Sequence, residues 1–153
     1  MATRLCSYKE SGDLKMASSL TFYNKFRKYI EDGTLDLDTN TIKLMLVTSA
    51  YTFDANHNVL ADVKASPDPE VVAVASPSNG YTTGGETLAN AAVTYSGAVS
   101  KFDADDVTWT LLTATFRRGI LYASGTLNGV VDPLIASILF DTTPADITIS
   151  GIN

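Results

Sequence analysis

One cysteine, one histidine and one tryptophan in 153 residues set the first limits on what this chain can do. A lone Cys6 cannot form an intrachain disulfide, and it cannot build a thiolate metal cluster. Nor does it suggest a disulfide-stapled secreted domain. Charge is scarce as well. Asp, Glu, Lys and Arg make up 18% of the chain, below the usual quarter or so of a soluble domain. A surface that neutral suits a subunit with buried contacts. Basic residues are the scarcer sign, 11 against 17 acidic, for a net charge of −6. Such a surface repels phosphate backbones, so no nucleic-acid partner is expected. The densest basic patch is Lys25, Arg27 and Lys28; it runs at once into Glu31 and Asp32 and reads as a solvated helix face. No apolar run approaches the roughly 20 residues of a membrane span. Residues 1–15 carry no signal-peptide core. No membrane partner is expected, and assembly in a host cytoplasm is.

The groups that carry chemistry are equally thin. His57, in Asn56-His57-Asn58, is flanked by turn formers and reads as a surface-loop residue. A triad needs a base poised between a nucleophile and a carboxylate, and no G-x-S-x-G elbow supplies the nucleophile. Asp36-Leu37-Asp38-Thr39-Asn40 opens like a calcium loop, but its sixth position is Thr41 instead of Gly and its twelfth is Val47 instead of Glu. Asp103, Asp105 and Asp106 read as a carboxylate-rich turn. Neither cluster pairs carboxylates on rigid elements across a cleft, as glycosidase chemistry requires. Gly80, Gly84 and Gly85 lack the G-K-[ST] of a phosphate loop and read as turn chemistry. No catalytic residue, no cofactor and no metal ligand is expected, and the chain is read as non-enzymatic.

What is present is β pattern. Residues 1–18 lack periodicity and read as a flexible N-terminal arm; residues 19–153 read as a single β-rich domain. Residues 19–31 are expected to form the one helix, capped by Ser18 or Ser19 and ended by Gly33. At 100° per residue, Phe22, Tyr23, Phe26, Tyr29 and Ile30 fall on one arc. Docked on the domain's own sheet, the central Phe26 is expected to cost about 3–5 kcal/mol on truncation to alanine. Residues 41–48 and 134–140 are nearly continuous apolar runs, expected as strands buried on both faces. Strands are also expected at 107–112, which alternates cleanly, at 115–123 and at 146–149. Residues 91–95 and 99–102 should form a hairpin about Ser96-Gly97. The fold class is mostly β: an antiparallel sandwich or partly open barrel with one N-terminal amphipathic helix.

Residues 63–86 form a long connection broken by Pro67, Pro69 and Pro77. Connections of that kind are usually functional or disordered. Residues 71–75 (VVAVA) are apolar and are expected as an edge strand or a contact with a neighbour. Leu5 in the arm, with Val71, Val72, Val74 and Tyr81, forms the expected partner interface. A carbohydrate-binding sandwich is an alternative, with Tyr51, Tyr81 and Trp109 as stacking aromatics, although Trp109 in an alternating segment reads better as core.

Three stretches carry a resemblance. Residues 23–51 (YNKFRKYIEDGTLDLDTNTIKLMLVTSAY) place a helix and D-G-T-x-D-L-D before an apolar strand ending V-T-S-A-Y. Residues 79–85 read NGYTTGG, and residues 105–140 run from DDVTW through ATFRRGILY to PLIASILFD. Together they are similar to a group of small tailed-phage structural proteins. The resemblance implies a virion component, in particular a capsid decoration (cement) protein. Such a protein binds the major capsid protein on the capsid surface, often as a homotrimer. A tail or fibre subunit is the alternative.

Overall fold

The computed structural model describes residues 18–65, 67–76, 78–141 and 145–151. Residues 1–17, and with them Leu5, Cys6 and nearly all of the expected arm, lie outside the described residues. The chain opens with strand β1 (Ser19–Phe22), a short helix α1 (Phe26–Glu31), strand β2 (Ile42–Val47) and the single turn α2 (Leu60–Val63). A two-residue strand β3 (Glu86–Thr87) precedes the hairpin of β4 (Ala92–Ser96) and β5 (Val99–Asp103). Then come β6 (Ala114–Phe116), β7 (Arg118–Ala123), a small hairpin of β8 (Thr126–Leu127) and β9 (Val130–Val131), β10 (Leu134–Leu139) and β11 (Ile147–Ile149). The protein is mostly β, and every strand pairing is antiparallel.

A five-stranded open sheet in the order β1-β10-β7-β2-β3 forms the centre, and among the described residues no barrel closes. Its three middle strands are the apolar runs, and their pleat feeds two cores. Ile42, Leu44 and Leu46 of β2 join Leu121 of β7 and Ile138 of β10 in the larger cluster. Met45 and Val47 face the other way, into a smaller cluster with Ile120, Tyr122 and Leu134. A strand buried on both faces has no reason to alternate, which is why these segments read as continuous apolar runs. The pair β6-β11 contributes Phe116, Ile147 and Ile149 to the larger cluster. Tyr51, Leu60 and Val63 from residues 51–63 close the smaller one.

The expected helix over 19–31 is half wrong. Residues 19–22 are β1, an edge strand in register with β10 (Ser19 opposite Leu139, Phe22 opposite Ala136), and only Phe26–Glu31 is helical. Thr21 and Phe22 are strand-favouring residues, and β10 offers an edge of unpaired backbone groups; pairing there outweighs one extra helical turn. Lys25 sits at the N-cap, with no capping side chain, in place of Ser18 or Ser19. Gly33, at φ +69°, follows the helix end as expected. The arc is consequently split. Tyr23 and Tyr29 are buried, while Phe26 is half-buried and stacks on the exposed Phe22 at 4.9 Å between ring centres. A ring in that position does not lose the full burial of a core aromatic, so the cost inferred for Phe26→Ala from the sequence is too large.

The alternation over 107–112 does not form a strand either. Leu111 sits at φ +60°, and Gly80 lies against the backbone of residues 110–112. Val107 and Trp109 still pack on the larger cluster from irregular backbone, as the core reading of Trp109 required. The run 115–123 breaks at Arg117, where β6 leaves to pair with β11.

Candidate interaction surface

The β4-β5 hairpin is where the expected turn lies, shifted by one residue. Ser96 pairs with Val99 across Gly97-Ala98. Residues directly opposite share a face, so Val93 and Phe102 lie side by side with Tyr95 and Ser100 beyond them. Phe102 packs on the larger core and roots the hairpin. From that root outward the cover falls away: Val93 is 37% exposed and Tyr95 at the tip 76%. Val99 is exposed on the opposite face. Among the described residues no strand joins either edge of this ribbon.

Both acidic clusters singled out in the sequence serve this hairpin. Asp36 to Asn40 is a closed turn, in which Asn40 Oδ1 accepts from the Asp36 N–H at 2.8 Å and Asp36 Oδ1 from the Asp38 N–H at 2.9 Å. That second bond holds the Asp36 carboxyl below the usual carboxylate range. Asp38 is thereby aimed at the outer edge of β4, where its Oδ1 accepts the Val93 N–H. At the hairpin base the Asp105 N–H donates to Ala89 O at 2.9 Å, and its carboxylate accepts from Asn90 Nδ2 at 2.7 Å. Asp103 pairs with Lys101, which lowers its pKa. Among the described residues no group of three or more His, Cys, Asp and Glu could hold a metal ion.

The long connection is pinned to the sheet by Glu70. Pro69 O accepts the Thr48 N–H at 2.9 Å, and the Val71 N–H donates to Leu46 O at 3.0 Å, which lays residues 69–71 along the end of β2. The Glu70 side chain is buried there. Its Oε1 accepts from Tyr81 Oη at 3.0 Å and from the Gly84 N–H, and its Oε2 pairs with Lys64 Nζ. Lys64 also reaches Asp68 at 3.3 Å, and its pKa is raised, chiefly by Glu70. Tyr81 Oη in turn accepts the Leu46 N–H at 3.1 Å, and Tyr122 Oη donates to Gly84 O at 2.8 Å. A shallow cleft of about 230 Å³ opens beside this centre between Lys64, Asp68, Glu70, Val72 and Thr83.

These contacts correct the expected interface. Tyr81 is 4% exposed and Val71 is 6% exposed; both belong to the larger core and present nothing to a partner. Val72 and Val74 are exposed, Val72 at 74%. The VVAVA run is two-faced, with Val71 and Ala73 packing inward and Val72 and Val74 pointing out. Asn79 holds that shape, donating from Nδ2 to Val72 O at 2.9 Å and accepting the Val74 N–H at 3.0 Å. Tyr51, read as a stacking aromatic beside Tyr81, is buried too. The surface aromatic is Tyr95, whose place at a hairpin tip was legible although its exposure was not singled out.

His57 is not a plain surface residue. It is half-buried, and its Nδ1 lies 3.0 Å from Tyr51 Oη, which lies 3.0 Å from Tyr23 Oη. Burial raises the pKa of Tyr23, Tyr51 and Tyr81, and raises that of Tyr122 to about 12. Each is neutral in the fold at pH values where an unfolded tyrosine, with a pKa of about 10, already ionises. Stability from these groups is therefore complete below about pH 10 and is lost as pH rises toward the folded values. Urea midpoints measured from pH 8 to 11.5 should be flat at first and then fall; a midpoint that holds to pH 11.5 would mean the four hydroxyls are not buried.

No protein-family model matches the chain, and no match is found among curated proteins or solved structures.

Proposed function

We propose that this chain is a non-enzymatic structural protein of a phage virion, a decoration protein that stabilises the head by binding the major capsid protein. The observation that carries the reading is the β4-β5 hairpin. A two-stranded ribbon is marginal in water by itself. This one is fastened twice at its base, where Asp38 accepts the Val93 N–H and Phe102, directly opposite, packs on the core, and toward its tip it presents Tyr95 and Val99 uncovered. Rigid presentation of an exposed aromatic on a fixed element is how a protein anchors itself in a partner's pocket. Val72 and Val74 add apolar surface on a second braced loop. The resemblance to small tailed-phage structural proteins supplies the context, and the net charge of −6 points the contact at protein in preference to nucleic acid. Assembly in the host cytoplasm onto the capsid surface, as a closed homo-oligomer, follows from that reading.

The test is co-sedimentation with undecorated capsids and, separately, with purified tails. Intact protein should pellet with capsids. Tyr95→Ser/Val99→Ser should bind at least about tenfold more weakly, the scale of one lost anchor, with its melting temperature within a few degrees of the parent. Binding to tails alone would move the protein to a tail or fibre role. Unchanged capsid binding by the double variant would remove the hairpin from the contact.

A further inference from the structure

We infer that β1 is a strand-pairing edge for a second copy of this chain, joined antiparallel about a two-fold axis at Thr21. This inference is independent of the virion reading. It starts from the direction of the backbone groups. The Tyr23 N–H donates to Ile135 O at 3.1 Å, so Tyr23, Thr21 and Ser19 turn their backbone toward β10. The even residues turn away, and the Asn24 N–H confirms it by donating to Ala55 O at 2.9 Å, outside the sheet. Between those limits the N–H and C=O of Leu20 and Phe22 have no partner among the described residues. β1 contains no charge and no proline, and no bulge interrupts its register with β10. Natural edges are commonly protected by one of these devices.

The side chains point to a copy of the same strand. Leu20 lies opposite Ile138 and Phe22 opposite Ala136, so both extend the face of the larger core. There the core is unfinished: Leu20 is 37% exposed and Phe22 45% exposed. Phe22 is held flat against Phe26. Asn24 is already occupied by Ala55, so within β1 only Leu20 and Phe22 are available on each copy, and they are taken to pair with each other. One antiparallel register satisfies both, with Leu20 opposite Phe22 of the second copy and Phe22 opposite its Leu20. It forms four backbone hydrogen bonds, makes two aliphatic–aromatic cross-strand pairs and brings no like charges together. Thr21 then faces Thr21 at a non-hydrogen-bonded position, where Cα atoms approach to about 4.5 Å. So short a contact gives a weak, concentration-dependent dimer, and a dimer replaces the trimer as the species expected of the free protein.

The experiment uses the full chain with Cys6→Ala as background. Sedimentation velocity from about 1 µM to 1 mM should show monomer passing to dimer. Thr21→Cys in that background should oxidise to a disulfide-linked dimer, because the Cα separation falls within disulfide range, while Ser19→Cys should not. Leu20→Lys should raise the dissociation constant at least about tenfold with circular dichroism unchanged. Leu20→Pro should do the same, since its N–H faces away from β10. A monomer at every concentration, a trimer, or a dimer indifferent to Leu20→Lys and Leu20→Pro would overturn the inference.

Discussion

Glu70→Ala should lower the unfolding free energy by about 3–5 kcal/mol, mainly the cost of leaving two donors within the fold without the charged acceptor they meet. The carboxylate is the acceptor for the Tyr81 hydroxyl and the Gly84 N–H, and it is the close partner of Lys64. Alanine leaves a buried hydroxyl and a backbone donor without their acceptor, and leaves Lys64 with Asp68 alone. Glu70 joins three parts of the chain, around residues 64, 81 and 84, so the loss is shared by the connection between α2 and β3. For a chain of this size the change corresponds to a fall in melting temperature of about 6–20 °C. Glu70→Gln keeps the shape and an acceptor for Tyr81, and should cost about 1–3 kcal/mol. Urea unfolding of both variants measures the difference. An alanine variant within about 1 kcal/mol of the parent would show that the connection is held by Val71 and Pro69 without the carboxylate. The exposed loop at Val72 and Val74 depends on the same anchor, so Glu70→Ala should also loosen that surface.

The parts of the fold that were legible are those whose sequence admits one arrangement. Residues 42–47 and 134–139 are short, almost continuous apolar runs with turn formers just before them, too short for a buried helix, so a central strand is their natural home. The hairpin at 92–103 announces itself by Ser96-Gly97 between alternating runs. Residues 19–22 admit two arrangements. Phe22 and Tyr23 fit a helical arc with Phe26 as well as they fit a strand, and only the open edge of β10, more than a hundred residues away, decides. The hairpin at 126–131 carries its own local signal: Asn128 and Gly129, at φ +46° and +81°, are the Asn-Gly turn that favours a two-residue hairpin. The interface residues failed for a different reason. Tyr81 stands among Asn, Gly and Thr, a polar neighbourhood that suggests solvent. Its hydroxyl is buried because Glu70 and the Leu46 N–H both meet it, and nothing local to residue 81 signals either partner. Glu70 itself, between Pro69 and a valine run, looks like an ordinary loop acid. Burial of a polar side chain depends on partners that the fold brings from elsewhere, and local pattern carries no trace of them.

Gly85→Ala should be the most damaging single-methyl change in the chain. Gly85 is buried at φ +76°, two residues before the only pairing of β3 with β2 ends. A Cβ there would stand 1.9 Å from Leu44 O, 2.5 Å from Leu44 C and 2.6 Å from Met45 Cα. All three are backbone atoms of the central strand, so no side-chain rotation relieves the contact. The chain must either lift β3 off β2, which strips the Leu44 and Lys43 pairings, or push β2 into the cores packed on both of its faces. The left-handed conformation adds about 1–2 kcal/mol for any residue with a Cβ. Together these should exceed about 4 kcal/mol, beyond what most point substitutions cost, and a domain of ordinary stability would be recovered mainly as insoluble protein. Gly97→Ala separates strain from clash. Gly97 has a comparable φ of +62° with nothing within 4 Å of an added Cβ. It should therefore show the backbone cost alone, about 1–2 kcal/mol, and remain soluble and folded. Soluble yield and thermal melts of the two variants, side by side, decide the matter. If Gly85→Ala melts within a few degrees of Gly97→Ala, residues 84–86 do not lie against β2, and the open edge of the sheet beyond β2 is longer than β3 allows.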